Sequence, residues 1–173
     1  KCKSSNQVKW RKITNLLESL QQDDKIRNFI ISHTHNTLLN AEFPFIKLHG
    51  DLWSPNILLS KENPQNIYYI DLEYADDYLL FYDIFWLMIE QAMLNQNDFY
   101  IERYFFGYYD NNFQHLFNIF GISFCKEHGL DYLNLFYLNF YVERVCNKWK
   151  NNKKIHHNEY LDFLDRIKNL IGY

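Results

Sequence analysis

His49-Gly50-Asp51-Leu52-Trp53-Ser54-Pro55-Asn56, with Asp71 fifteen positions further on in Ile70-Asp71-Leu72-Glu73, is the stretch on which the reading of this chain turns. Phe45-Ile46-Lys47-Leu48 is a short apolar run leading into it. Ile57-Leu58-Leu59 leads out, and Asn66-Ile67-Tyr68-Tyr69-Ile70 returns after the turn-rich Lys61-Glu62-Asn63-Pro64-Gln65. The pattern predicts a strand, a loop and then a hairpin. The hairpin's end delivers Asp71 back beside Asn56, which lets two polar groups so far apart in sequence meet.

Asp51, Asn56 and Asp71 are oxygen-bearing side chains at a spacing that suits phosphoryl transfer. That reaction requires a hydroxyl held in line with a terminal phosphate and charge neutralised on the phosphate oxygens. A loop carboxylate such as Asp51 can orient the hydroxyl and accept its proton. Magnesium takes hard oxygen ligands and is held by one or two protein groups plus phosphates and waters, a role open to the Asn56 carbonyl and the Asp71 carboxylate. On an extended segment Glu73 projects to the same side as Asp71 and can share that metal or hold a second. Two carboxylates about 4 Å apart repel by roughly 4 kcal/mol at an effective dielectric near 20, so such a cluster implies a bound cation.

His49-Gly50-Asp51-Leu52-Trp53-Ser54-Pro55-Asn56-Ile57-Leu58-Leu59 and Ile70-Asp71-Leu72-Glu73-Tyr74-Ala75 resemble the catalytic loop and metal-binding segment of the aminoglycoside phosphotransferase and choline kinase superfamily, small-molecule relatives of protein kinases. Gly50, where protein kinases usually carry arginine, and Ile-Asp-Leu-Glu, where they carry Asp-Phe-Gly, favour the small-molecule branch. The resemblance implies ATP and Mg2+ as cofactors, Asp51 as catalytic base, Asn56 and Asp71 as magnesium ligands and Glu73 as a further ligand. It also implies that Asp83, at the start of a buried helix, braces the catalytic loop. Glu90 falls where choline kinases place an acidic residue near a cationic substrate, although a lone helical glutamate is more often solvated or capping. His49 precedes the base candidate, and its expected role is to brace the loop by hydrogen bonds. The implied fold is α+β and predominantly helical, a protein-kinase-like carboxyl-terminal lobe whose small β-hairpin carries the catalytic loop and metal-binding segment.

The amino-terminal lobe of such kinases is expected to be absent from this chain. The residues ahead of His49 read as helix, and the five glycines, at 50, 107, 121, 129 and 172, form no Gly-x-Gly turn to cover phosphates. The chain of 173 residues is long enough to bury about 70% of its unfolded surface and is expected to form one domain. It starts Lys1-Cys2-Lys3-Ser4-Ser5-Asn6, without a methionine or a secretory pattern, so it is expected to begin inside a longer protein; without a covering loop and lysine for the phosphates, the isolated residues are expected to be inactive.

With 47% hydrophobic residues the composition is globular, and no segment approaches the roughly 20 apolar residues of a membrane span. Cys2, Cys125 and Cys146 are odd in number and widely spaced, like ordinary thiols of a reducing, cytoplasmic compartment. A net charge of −3 argues against nucleic acid or an anionic membrane as partner. The basic run Lys148-Trp149-Lys150-Asn151-Asn152-Lys153-Lys154 reads as a solvated carboxyl-terminal helix end.

Trp10, Ile13, Leu16, Leu17 and Leu20 recur at helical intervals behind the capping candidates Ser5 and Asn6. A second helix is expected behind caps Asp23 and Asp24, with Ile26, Phe29, Ile30, His33 and Leu38 on its apolar side, before Pro44 enforces an extended approach to the first strand. Further helices are expected near 80 to 95, 97 to 109, 111 to 120, 131 to 149 and 157 to 171. Most aromatics, 19% of the chain, must be core. A minority, drawn from Trp53, Tyr74, Trp86, Tyr137, Tyr141 and Trp149, could attract a cationic substrate through their ring faces. The pairs His33/His35 and His156/His157 lack companions at metal-ligand spacing.

The expected activity is therefore transfer of the terminal phosphate of ATP to a hydroxyl of a small polar or cationic molecule, choline-, aminoglycoside- or sugar-like. The rival expectation is a non-catalytic kinase-like binding or regulatory module. A metal-dependent hydrolase is a poorer reading, since the histidine-rich ligand sets of that chemistry are missing.

Overall fold

The computed structural model describes residues 8–20, 23–94, 96–147 and 153–172. It is an α+β fold, predominantly helical, with two small antiparallel sheets. Strand β1 (Lys9–Lys12) leads directly into helix α1 (Ile13–Glu18), followed by α2 (Asp24–His33), α3 (Asn36–Leu39) and strand β2 (Glu42–Leu48). Strands β3 (Ile57–Leu59) and β4 (Ile67–Tyr69) pair as a hairpin, Ile57 opposite Tyr69 and Leu59 opposite Ile67. Strand β5 (Asp76–Leu79) then joins β2 in a three-stranded sheet of order β1-β2-β5. Helices α4 (Tyr82–Leu94), α5 (Phe99–Phe105), α6 (Asp110–Ile119), α7 (Gly129–Phe140) and α8 (Lys153–Ile171) complete the fold, with a π-helical turn, Tyr141–Cys146, continuing α7.

Trp10 lies on β1, opposite Pro44, and not on the first helix, and its ring is largely exposed. The helical period that links it to Ile13 is fortuitous: α1 buries Ile13, Leu16 and Leu17, while the KWRK segment is strand by virtue of pairing with β2. Pro44 sits inside β2, the central strand, where proline is normally disfavoured. Its carbonyl accepts from Leu80, just beyond the last residue of β5, so the missing N–H falls at the end of that ladder.

Asp23 occupies the N-cap position of α2 without a side-chain cap bond; its carboxylate instead accepts the Tyr141 hydroxyl at 2.6 Å. Leu38 belongs to the separate helix α3, and His33 is exposed while its ring stacks on Phe29. Lys153 and Lys154 open α8, so they stand at a helix start and not at a carboxyl end. Ser5, Asn6, Cys2 and the remainder of the basic run with Trp149 lie outside the described residues.

Helix α7 is buried nearly all round, as expected of a helix at the centre of a core. Its two buried asparagines are tied in. Asn139 Oδ1 accepts the Leu79 N–H at 2.9 Å, joining α7 to β5, and Asn134 donates to His33 O and accepts from Tyr160. Around α7 pack Phe45 and Leu79 of the larger sheet, Phe81, Tyr82 and Phe85 at the start of α4, and Tyr160, Phe163, Leu164 and Ile167 at helical spacing on α8. Tyr137 and Tyr141 are core residues too, Tyr137 lying flat on Tyr160 with ring centroids 3.6 Å apart.

Burial raises the phenols of Tyr82, Tyr104, Tyr132, Tyr137, Tyr141 and Tyr160, and pushes Tyr78 from an ordinary 10.0 up to about 12. Above pH 10 the unfolded chain releases phenolic protons that the folded chain retains. The contribution of Tyr78 is thus complete below pH 10 and lost as pH rises through about 12. Denaturant midpoints should fall steeply over that interval, with tyrosinate absorbance appearing together with unfolding. A flat stability profile to pH 12, or tyrosinate formed well before unfolding, would contradict this packing.

Candidate active site

Strand β2 runs out at Leu48, and the chain turns at once under the control of Asp83. From the first turn of α4 the Asp83 carboxylate accepts the His49 N–H (2.8 Å) and the Gly50 N–H (2.9 Å). Burial pushes this carboxyl above its ordinary range while the two N–H groups pull it down. Asp83 thus ties the start of α4 to the two peptides that open the loop.

Gly50 adopts φ +76°. A Cβ there would lie 2.5 Å from the Tyr74 carbonyl and 2.6 Å from the Tyr78 ring, so glycine is required both by conformation and by space.

His49 is buried beneath the loop. Its Nε2 donates to Ile70 O (2.7 Å) and its Nδ1 accepts the Asp51 N–H (3.3 Å), which places the ring proton on Nε2. The imidazole braces the loop to the hairpin and is spent on backbone partners.

The 3-10 turn Ser54–Asn56, with Pro55 pre-setting its φ, buries Asn56. Asn56 Nδ2 donates to Asp51 O at 3.0 Å, and Asn56 O accepts the Ile70 N–H at 3.1 Å. The hairpin therefore returns to the loop at residue 70, and Asp71 comes directly after. Asp71 takes the left-handed conformation (φ 60°, ψ 60°), which aspartate tolerates better than most residues.

One expectation about this segment is corrected. Residues Leu72–Tyr74 form a 3-10 turn, so Asp71 and Glu73 do not alternate along an extended strand. Both are solvent-exposed, and water screens the repulsion that would otherwise demand a cation. Among the described residues, no group of three or more His, Cys, Asp or Glu side chains is arranged to hold a metal ion.

Asp51 itself is partly exposed, its side chain at 21%. Its Oδ1 receives Arg144 Nη2 at 3.2 Å, and Arg144 Nη1 donates to Gly50 O at 2.6 Å. The guanidinium, 2% exposed, lies 3.7 Å from the Tyr74 ring centroid and 5.3 Å from that of Trp86. One face each of Tyr74 and Trp86 is thus turned to a cation of the chain itself. No motif marks Arg144 in the sequence. The available signal was an arginine at i+3 from Tyr141 and i+7 from Tyr137, on a stripe otherwise apolar.

Trp53 is half-buried at the loop, and Glu90 is nearly enclosed on α4. Glu90 Oε2 accepts Gln91 Nε2 at 2.9 Å, and the same nitrogen lies 3.5 Å from Ser54 Oγ, so α4 meets the loop there.

Removing the brace should be costly. Asp83→Ala orphans two buried N–H groups at about 1–3 kcal/mol each, and chemical denaturation should show a loss in that range or its sum. Asp83→Asn keeps one acceptor and should lose less. Equal stability of Asp83→Ala and wild type would show that this carboxylate braces nothing.

No curated protein and no solved structure matches the chain. Residues 3–116, more than half of its 173 residues, match the phosphotransferase enzyme family, to which this chain belongs.

Proposed function

We propose that this chain carries the catalytic, carboxyl-terminal lobe of an ATP-dependent phosphotransferase with a kinase-like fold, acting on a hydroxyl of a small polar or cationic molecule. The observation that carries the reading is the closed circuit of hydrogen bonds Asn56 Nδ2 to Asp51 O, Ile70 N to Asn56 O and His49 Nε2 to Ile70 O. It draws Asp51, Asn56 and the backbone leading into Asp71 to one place, although they span twenty-one residues of sequence.

Asp51 is the base. With Oδ1 bonded to Arg144, Oδ2 has no hydrogen-bond partner among the described residues and is the oxygen left for an acceptor hydroxyl. As the acceptor oxygen bonds to the terminal phosphorus, the bond to the bridging oxygen of ADP breaks and the hydroxyl proton passes to Asp51.

The donor set at the neighbouring position fits magnesium. Asn56 commits its amide nitrogen to Asp51 O, which leaves its carbonyl oxygen as ligand, and Asp71 offers a carboxylate at the hairpin's end. Two protein oxygens, with Glu73 as an auxiliary, suit an ion that completes its shell with phosphates and water. When bound, the ion would neutralise phosphate charge. Trp53 and Glu90 border the same loop and are the candidates for acceptor contact, Glu90 toward a cationic group.

The test is acceptor-dependent ADP release by the intact protein with Mg-ATP and a panel of choline-like, aminoglycoside-like and sugar-like alcohols. Asp51→Asn should lower kcat by about a thousand-fold or more, roughly 4 kcal/mol of barrier, with the fold retained by circular dichroism. Wild-type turnover in that variant would refute the assignment. Calorimetric binding of Mg-ATP without transfer to any acceptor would move the reading to a binding module.

A further inference from the structure

Arg144 stands out among the buried groups. It is carried on the π-helical turn Tyr141–Cys146, which continues α7 without a break. Such turns accommodate one extra residue, which rotates the rest of the helix by about 100° relative to an unbroken α-helix. Through it the guanidinium reaches the catalytic loop, donating to Gly50 O and Asp51 Oδ1.

Stability alone is a poor reason for this arrangement. Desolvating a guanidinium is expensive, and well-packed apolar residues usually serve a core as well or better. The contacts are instead specific to the site. A planar fork gives two-point control, one arm on the loop backbone and one on the carboxylate, while Tyr74 packs against its face.

Resting on the phosphotransferase reading above, we propose that Arg144 is a positioning residue: it anchors Asp51 through Oδ1, so that Oδ2 is presented to the acceptor hydroxyl. Its two arms fix both the rotation of the Asp51 side chain and the position of the peptide that bears it. Tyr74, on the 3-10 turn that follows Asp71, makes that placement sensitive to the conformation of residues 71–74.

The test uses the intact protein. Arg144→Lys keeps a charge but loses the fork, and kcat should fall about ten- to a hundred-fold, the range expected of a misplaced catalytic group. The KM values for ATP and acceptor should stay within about two-fold, measured below the variant's melting temperature. Tyr74→Leu leaves Arg144 in place without its ring and should give a smaller change with the same kcat-against-KM split; it carries the test if Arg144→Lys does not fold. Unchanged kcat in a folded Arg144→Lys, or a raised KM at unchanged kcat, overturns the proposal.

A second readout is independent of turnover. The bonded Nη protons of Arg144 should give slowly exchanging NMR signals that Asp51→Asn shifts, and signals indifferent to that substitution overturn the pairing. If the wild-type protein transfers phosphate to no acceptor while those signals respond, the phosphotransferase reading and the catalytic consequence fall together, and the Arg144–Asp51 pairing stands.

Discussion

The peptide at Gly50 is where the structure converges. Its N–H is held by Asp83 of α4, its carbonyl by Arg144 of the π-helical turn, and the space a Cβ would need is taken by Tyr74 O and the Tyr78 ring. One residue without a side chain thereby receives a helix start, a helix extension and the segment between the hairpin and β5. A methyl group would displace one of them. Asp51 inherits its place from this crossing, because the adjacent peptide has no freedom left.

Much of this was written in local sequence. The strand, loop and hairpin from Phe45 to Ile70 came from apolar runs punctuated by turn residues, and helices α4 to α8 from apolar spacing. The family resemblance singled out Asp83 and His49 as expected braces, and in the fold both bond to backbone groups of the loop and the hairpin end. Where local period and tertiary pairing competed, pairing won. Trp10 has the right interval for a helix, yet KWRK lies along β2 because the central strand offers an unpaired edge. The segment at Asp71 failed differently: an αL residue leading into a 3-10 turn involves no glycine or proline that would announce it.

Arg144 was not legible at all, and the reason is physical. Its partners lie ninety-three and ninety-four residues away, and its direction depends on a π-helical register that no 3.6-residue pattern predicts. A buried cation is visible in sequence only as a violation of an apolar stripe. The same long-range character explains why Tyr74 and Trp86 could be read as a cage for a cationic ligand when one face of each is turned to an internal guanidinium.

The site is therefore uneven in a way that bears on its chemistry. On the inner side, Asp83, His49, Asn56 and Arg144 are buried and bonded, so the backbone that carries Asp51 is held from several directions. On the outer side, Asp71 and Glu73 are exposed, and the hairpin that delivers them bears Leu58, Leu59, Ile67, Tyr68 and Tyr69 largely in solvent on both faces. A two-stranded ribbon of this length has little stability of its own. Its root is held by Ile70, which donates to Asn56 O and accepts from His49 Nε2. The position of Asp71 relative to Asp51 thus depends on two hydrogen bonds at one residue, and not on any packing of the ribbon itself.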